Sequence, residues 1–156
     1  MITKNGKAGI PMVSAWASEN HIGLGQTVFD AKSNEITAIP KLLEMIEVAG
    51  ALVTIDAMGY RTEIADRIVA EKAHYCLAVK GNQLTLQEGL HSFFLKHLEY
   101  DFAEIEVRRF QNQEKTHGRE DHHYEFVCKA SRDLPDASGW RGLKAIGISI
   151  NDTKRR

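Results

Sequence analysis

Residues 51–81 read ALVTIDAMGYRTEIADRIVAEKAHYCLAVKG, and this stretch decides the fold class. It begins with an apolar run of strand length that lacks alternation, which is typical of a strand covered on both faces. Apolar residues follow at helical spacing, Ile64, Ile68 and Val69, and HYCLAVKG supplies a second short apolar run. Strand, helix and strand in this order predict two parallel strands of an α/β sheet with helices around it.

The residues before this stretch predict a hairpin and a helix. GIPMVSAWAS and HIGLGQTVFD are β-rich runs separated by a polar pair, which predicts two antiparallel strands. In SNEITAIPKLLEMIEVAG, apolar residues recur at helical spacing: Ile39, Leu42, Leu43 and Ile46. Pro40 is expected in the first turn of this helix and Gly50 at its C-terminal cap.

The residues after it predict a third helix and further strands. Thr85 and Glu88 have the spacing of a capping box, and the helix that they begin carries an apolar stripe to about Leu98. Residues 99–135 alternate weakly around a charged stretch, as in a hairpin with a long polar connection. WRGLKAIGISI supplies a last strand, and NDTKRR is expected to be a charged tail.

Length and composition limit the class of protein. With 156 residues, 43% of them hydrophobic, the chain can form one domain with a core. Twenty basic and 21 acidic residues nearly cancel, so nucleic-acid binding would depend on local patches. The chain lacks the roughly 20-residue apolar stretch that crosses a bilayer, and its N-terminus lacks a signal peptide, so we expect a cytoplasmic protein. Cys76 and Cys128 are expected to be unpaired.

Asp56 ends the first apolar run of residues 51–81, with the small residues Ala57 and Gly59 close behind it. In open α/β sheets, ligands bind beyond the carboxyl ends of the strands. A carboxylate at that place suits a divalent cation such as Mg²⁺ together with a phosphate. The alternative is that Asp56 caps the helix that begins near Thr62 or closes a turn.

Seven motifs together resemble one family. In order, they are MVSAWASEN, LGQ, KSNEITAIPKLLEMI, VTIDAMG, IADRIVAEKAHYCLAVKGNQ, HGRED and WRGLKAIGISI. Their order and spacing resemble the bacterial insertion-sequence transposases of the ISAs type, which include the H-repeat-associated proteins. Members of this family resemble DDE enzymes, which cut and rejoin DNA with two Mg²⁺ ions held by two aspartates and a glutamate.

The resemblance implies a fold, a domain and a catalytic residue. The fold is α/β, a ribonuclease H-like mixed sheet flanked by helices, with a β-rich insertion at about residues 99–135. Residues 1–156 would form one partial catalytic domain, incomplete at both ends. The second catalytic aspartate falls on Asp56, whereas the IDGK motif of the first aspartate and the HWxxEN motif of the glutamate are absent. One carboxylate does not hold two cations about 4 Å apart, so we expect an inactive fragment.

Further site residues follow from the same resemblance. HGRED resembles a recurring family motif, which makes Glu120 and Asp121 additional, weaker candidates for metal ligands. DNA phosphates are expected to meet polar and basic residues near the strand ends and in the hairpin segment: Lys80, Asn82, Gln83 and Arg119. The alternatives are a polar turn before a capped helix and a solvated charged surface.

Two functions remain open. The first is a DDE transposase fragment that acts on insertion-sequence ends and uses Mg²⁺ or Mn²⁺ in its intact form. The second is a non-catalytic ribonuclease H-like module that binds nucleic acid or a transposase subunit. Because a sheet without its first strand exposes an edge, we also expect marginal stability or self-association.

Overall fold

The computed structural model describes residues 11–29, 35–55, 62–81, 83–116, 119–131 and 134–155. Within these ranges the chain forms seven strands and three α-helices. In chain order, they are β1 (Met12–Ala17), β2 (Ile22–Val28), α1 (Glu35–Met45), β3 (Leu52–Ile55), α2 (Thr62–Ala70), β4 (His74–Leu77), α3 (Leu84–Glu99), β5 (Val107–Thr116), β6 (Arg119–Lys129) and β7 (Ala145–Arg155). The mixed α/β class is therefore confirmed. None of the helices in these ranges is long and apolar enough to span a membrane.

The described strands form three separate sheets, where the sequence predicted one mixed sheet. β1 and β2 pair as the predicted antiparallel hairpin, with a register shift between Ala15 and Trp16. β3 and β4 pair in parallel, as residues 51–81 predicted. β5, β6 and β7 form an antiparallel sheet with β6 in the centre. The chain divides into two compact units, which we call unit 1 (up to Ala78, with Trp140–Gly142) and unit 2 (Val79–Gly139 and from Leu143 onward).

The core of unit 1 lies between its helices and one face of its strands. Its buried residues come from both helices and the connections that follow them: Ile39, Leu43, Val48, Ile64, Ile68 and Ala73. Val53 and Ile55 of β3 pack against this core, whereas Leu52 and Thr54 are exposed. The predicted coverage of both faces of β3 is therefore wrong, because the buried cluster contacts only alternate residues of this strand.

The ends of α1 and α3 differ from the predicted positions. α1 begins at Glu35, so Pro40 lies inside the helix and not in its first turn. Gly50 lies beyond the helix end in a turn with a φ of 75°, where its N–H donates to the carbonyl of Lys72 at 3.0 Å. Gly50 is therefore a turn residue, because only a residue without a Cβ adopts this backbone conformation without strain.

The predicted capping box at the start of α3 is also wrong. The N-cap is Gln83, which makes no capping hydrogen bond with its side chain. The carbonyl of Gln83 accepts from the N–H of Gln87 at 2.9 Å, so the helical ladder begins before Thr85 reaches a capping position. Thr85 thus lies within the first turn.

The core of unit 2 joins α3 to one face of the three-stranded sheet. Its buried residues come from the helix, the strands and the connections between them: Phe94, Phe102, Cys128, Leu134 and Ile146. The apolar stripe predicted for α3 is confirmed, with Leu86 and Phe94 buried and Leu90 and Phe93 packed against the core. The predicted hairpin is confirmed as β5 and β6, whose register runs from Val107 opposite Cys128 to Thr116 opposite Arg119. The long polar connection predicted between its strands is wrong, because the charged stretch forms part of the paired strands, and β6 begins at Arg119, directly after residues 117–118.

The connection between α3 and β5 contains two residues with positive φ. Asp101 and Phe102 have φ values of 49° and 57°, which residues other than glycine rarely adopt. Arg109 donates from Nη1 to Asp101 Oδ1 at 2.6 Å and from Nη2 to the Asp101 carbonyl at 2.7 Å. Its guanidinium also lies 5.5 Å from the ring centroid of Phe102. These contacts stabilise a backbone path that the sequence does not reveal.

Candidate functional site

Asp56, the main predicted site residue, and Asn82 lie outside the described residues, but the strand before Asp56 is described. Ile55 ends β3 and pairs with Leu77, which ends β4. The N–H of Ala78 donates to the carbonyl of Ile55 at 3.5 Å, so the parallel pairing continues to the last residue of both strands. Since the strands are parallel, their carboxyl ends share one edge, which is the place where α/β sheets bind ligands.

Lys80 and Gln83 lie in the turn that leads into α3. Lys80 is exposed, and its carbonyl accepts from the N–H of Gln83 at 3.1 Å. This hydrogen bond belongs to the polar turn that the sequence offered as the alternative reading of these residues. An exposed lysine beside a helix start nevertheless suits contact with a phosphate.

Glu120 and Asp121 are adjacent on β6, so their side chains lie on opposite faces of the sheet. Glu120 Oε1 lies 3.4 Å from Lys115 Nζ and 3.4 Å from His122 Nε2, and it accepts a hydrogen bond from Gln113 Nε2. Burial raises the pKa of Glu120, but the hydrogen bonds and charges of these neighbours outweigh it, so the pKa of Glu120 lies below its usual value. The carboxylate is therefore held charged by protein groups.

Asp121 is buried and uses both of its carboxylate oxygens. Oδ1 accepts from Thr153 Oγ1 at 2.7 Å, and Oδ2 accepts from Arg119 Nε at 2.6 Å. The hydrogen bond from Thr153 lowers the pKa of Asp121, burial opposes it, and the hydrogen bond and charge of Arg119 lower it further. The pKa of Asp121 therefore lies below its usual value, and the carboxylate stays ionised to a lower pH than that of an ordinary aspartate.

Thr153 is not among the predicted site residues, because the sequence predicts a charged tail at residues 151–156. The structure shows that β7 continues to Arg155 and pairs with β6 along its whole length, with Asp121 opposite Thr153. Alternation is hard to recognise in a short polar segment, because both faces carry hydrophilic residues. The tail prediction is therefore wrong, and the strand supplies a partner for a buried acid.

A metal centre requires several ligands that converge. Within the described parts of the chain, no three His, Cys, Asp or Glu side chains lie close enough to hold an ion. Glu120 and Asp121 lie on opposite faces, and each already binds protein groups. The described residues therefore do not fit a two-metal centre by themselves.

Comparison with known proteins places these features in a family. The family model for the Transposase DDE domain matches residues 2–140. "Putative transposase YncI" of Escherichia coli O157:H7 is 40% identical over 151 residues, covering 96% of this chain and 38% of that relative. "H repeat-associated putative transposase YhhI" of Escherichia coli K12 is 37% identical over 150 residues, covering 93% of this chain and 38% of that relative.

The chain thus spans 38% of the length of these two relatives. No solved structure matches it. The family match extends over most of the chain and includes both the parallel strand pair and the hairpin of unit 2. The chain therefore belongs to the Transposase DDE domain family.

Proposed function

We propose that this chain is the part of a bacterial DNA transposase that carries one catalytic carboxylate, Asp56, and that it does not cleave DNA by itself. The observation that carries the proposal is the match to the Transposase DDE domain over residues 2–140. Asp56 follows directly on a strand that is paired in parallel with β4, which is consistent with a ligand-binding strand end.

The proposed fold and location follow from the same family. We propose that the β-α-β segment of unit 1 belongs to a ribonuclease H-like arrangement, which the intact protein completes with elements from the remainder of its length. The protein would act on insertion-sequence ends in the bacterial cytoplasm. Lys80, Asn82, Gln83 and Arg119 are the residues that we propose for contact with the DNA.

The inactivity of this chain has a chemical reason. Metal-dependent strand cleavage requires ions that stabilise both the attacking and the leaving oxygen, and one carboxylate does not fix two ions. Glu120 and Asp121 bind Lys115, Arg119 and Thr153 through hydrogen bonds or ion pairs. Recruiting either acid to a metal would break contacts that keep it charged and ordered.

A second function is favoured by those same contacts. Because Glu120 and Asp121 are engaged with protein groups, the described residues are equally compatible with a non-catalytic module that binds nucleic acid or a transposase subunit. The two functions differ in what Asp56 does. In the transposase it binds a divalent cation, and in the module it has no such role.

Nicking and Mn²⁺ binding by the purified chain test this proposal. The variants are Asp56→Ala and a matched control, Asp152→Ala, which removes an exposed aspartate of β7. We expect no nicking of supercoiled DNA with Mg²⁺ or Mn²⁺, and Mn²⁺ binding that is weakened by Asp56→Ala only. Nicking that requires Asp56 would contradict the proposed inactivity. Mn²⁺ binding that is indifferent to Asp56 would favour the non-catalytic module.

A further inference from the structure

One end of the unit 2 sheet combines a buried carboxylate with an exposed arginine. We call this group, Arg119, Asp121 and Thr153, the arginine clamp. Arg119 and Asp121 are two residues apart on β6 and therefore lie on the same face of the sheet. The side chain of Asp121 is only 8% exposed, whereas that of Arg119 is 55% exposed. The acid is thus fixed inside the protein while the cation reaches the solvent.

In the arginine clamp, the guanidinium of Arg119 is bound through one of its N–H donors, Nε. Thr153 on the neighbouring strand holds Oδ1 of Asp121, and Oδ2 then meets Nε of Arg119 at 2.6 Å. Nε is one of five N–H donors in a planar fork, and the other four belong to the terminal amino groups. An arginine oriented in this way is suited to bind a phosphate with two parallel hydrogen bonds.

We infer that Asp121 is a positioning residue that orients Arg119 toward a phosphate of DNA. This inference rests on the proposed function, because it assigns a role within DNA binding. It predicts the opposite of a simple charge argument. If Asp121 only contributed negative charge, its removal would strengthen DNA binding; if it positions Arg119, its removal weakens DNA binding.

The salt dependence of DNA binding distinguishes a positioning role of Asp121 from a contribution of negative charge alone. Affinity for a labelled duplex is measured by fluorescence anisotropy between about 50 and 200 mM salt for the wild type, Arg119→Gln, Asp121→Asn and the double variant. Loss of one phosphate contact lowers the slope of log affinity against log salt concentration by about 0.9. We expect this loss in Arg119→Gln and a similar loss in Asp121→Asn.

The double variant should bind no more weakly than Arg119→Gln, since both substitutions remove the same contact. Lys129→Gln is the matched control, because Lys129 is exposed and lies ten residues further on the same strand and face. Its slope should stay at the wild-type value. Circular dichroism shows whether each variant is folded. If Asp121 contributed only to stability, a folded Asp121→Asn variant would keep the wild-type slope of log affinity against log salt concentration.

The outcomes are distinct. Unchanged or tighter binding, or a steeper slope, for Asp121→Asn overturns the inference and leaves the proposed function intact. An Arg119→Gln variant with unchanged binding overturns the inference and the proposed contact of Arg119 with DNA, and it leaves the other proposed contacts intact. Absence of DNA binding by the wild type overturns the proposed DNA contacts and the inference together. If Asp121→Asn does not fold, Thr153→Val replaces it; a smaller loss in the same direction supports the positioning role, and unchanged or tighter binding overturns it.

Discussion

At the scale of single residues, the two cysteines are both free, as the sequence predicted, but their surroundings differ. Cys128 is buried in the core of unit 2, and burial raises the pKa of its thiol. Cys76 on β4 is exposed. The sequence placed both in apolar runs and did not reveal this difference, because a strand with one exposed face exposes alternate residues regardless of their polarity.

We therefore predict different alkylation of the two thiols. Since the thiolate is the nucleophile, iodoacetamide should modify Cys76 readily and Cys128 only slowly, and the rate at Cys128 should rise at a higher pH than for an ordinary thiol. Peptide mass spectrometry after timed quenching measures both rates. In the control variant Cys76→Ser, the remaining thiol should react quickly only in denaturant. Equal rates at neutral pH in the native protein would contradict the prediction.

In the candidate site, too, the sequence did not reveal the surroundings of the side chains. The motif HGRED drew attention to Glu120 and Asp121, and the structure shows that both are engaged in polar contacts. Thr153 has no signal in the sequence, because its hydroxyl reaches Asp121 through pairing between β6 and β7. Contacts between strands depend on register, which a single polar segment does not specify.

At the scale of elements, one close approach in unit 2 depends on a glycine. A Cβ added to Gly89 of α3 would lie 2.8 Å from Cδ and 3.0 Å from Cγ of Pro135. The proline ring is rigid, so the added atom would force the helix and the segment around Pro135 apart. The backbone conformation of Gly89 is helical, and the glycine is needed for space.

Gly89→Ala should therefore destabilise the protein although alanine is the better helix former. Overpacking costs typically about 1–3 kcal/mol, against a gain of about 1 kcal/mol in helix propensity. Urea unfolding of the wild type and variant measures the difference. Pro135→Ala in the Gly89→Ala background removes Cδ and Cγ and should restore part of the stability. A single variant that is more stable than the wild type would show that the contact is easily relieved.

Elements were predicted better than their ends. Apolar spacing identified all three helices and the parallel pair, because burial of one face imposes a period on the sequence. The starts of α1 and α3 and the turn at Gly50 were misplaced, because capping residues compete with many local alternatives. The positive φ values at Asp101 and Phe102 had no sequence signal, since contacts of Arg109 stabilise them.

At the scale of the whole molecule, each unit has its own hydrophobic core, and a core substitution should act on the strands that the residue packs against. Phe94 is 1% exposed and belongs to the cluster of unit 2. Leu95, its neighbour on the same helix, is 54% exposed. The pair offers a matched comparison of a buried and an exposed apolar side chain.

Phe94→Ala should cost roughly 3–5 kcal/mol, and Leu95→Ala should stay within about 0.5 kcal/mol. Hydrogen exchange followed by mass spectrometry should show faster exchange in β5, β6 and β7 for Phe94→Ala only. Unchanged exchange in these strands would mean that Phe94 contributes little to the core of unit 2.

The family was accessible from the sequence, whereas the sheet arrangement was not. Motifs such as VTIDAMG and HGRED identified a transposase, and the match to the Transposase DDE domain bears this out. Secondary-structure order alone did not determine whether the strands join in one sheet. That outcome depends on pairing between distant segments, which local patterns do not encode.

The strand order has a consequence for folding during synthesis. Every sheet pairing among the described residues joins strands that are consecutive in the chain. The second strand of each pair is therefore synthesised after its partner, so the two can pair as soon as it leaves the ribosome. The short connections of the hairpins keep the entropic cost of loop closure low. The hydrogen bond from the Tyr75 hydroxyl to the carbonyl of Arg141 joins residues 66 positions apart. This contact forms only after β5 and β6 have been synthesised, so unit 1 acquires its last segment late.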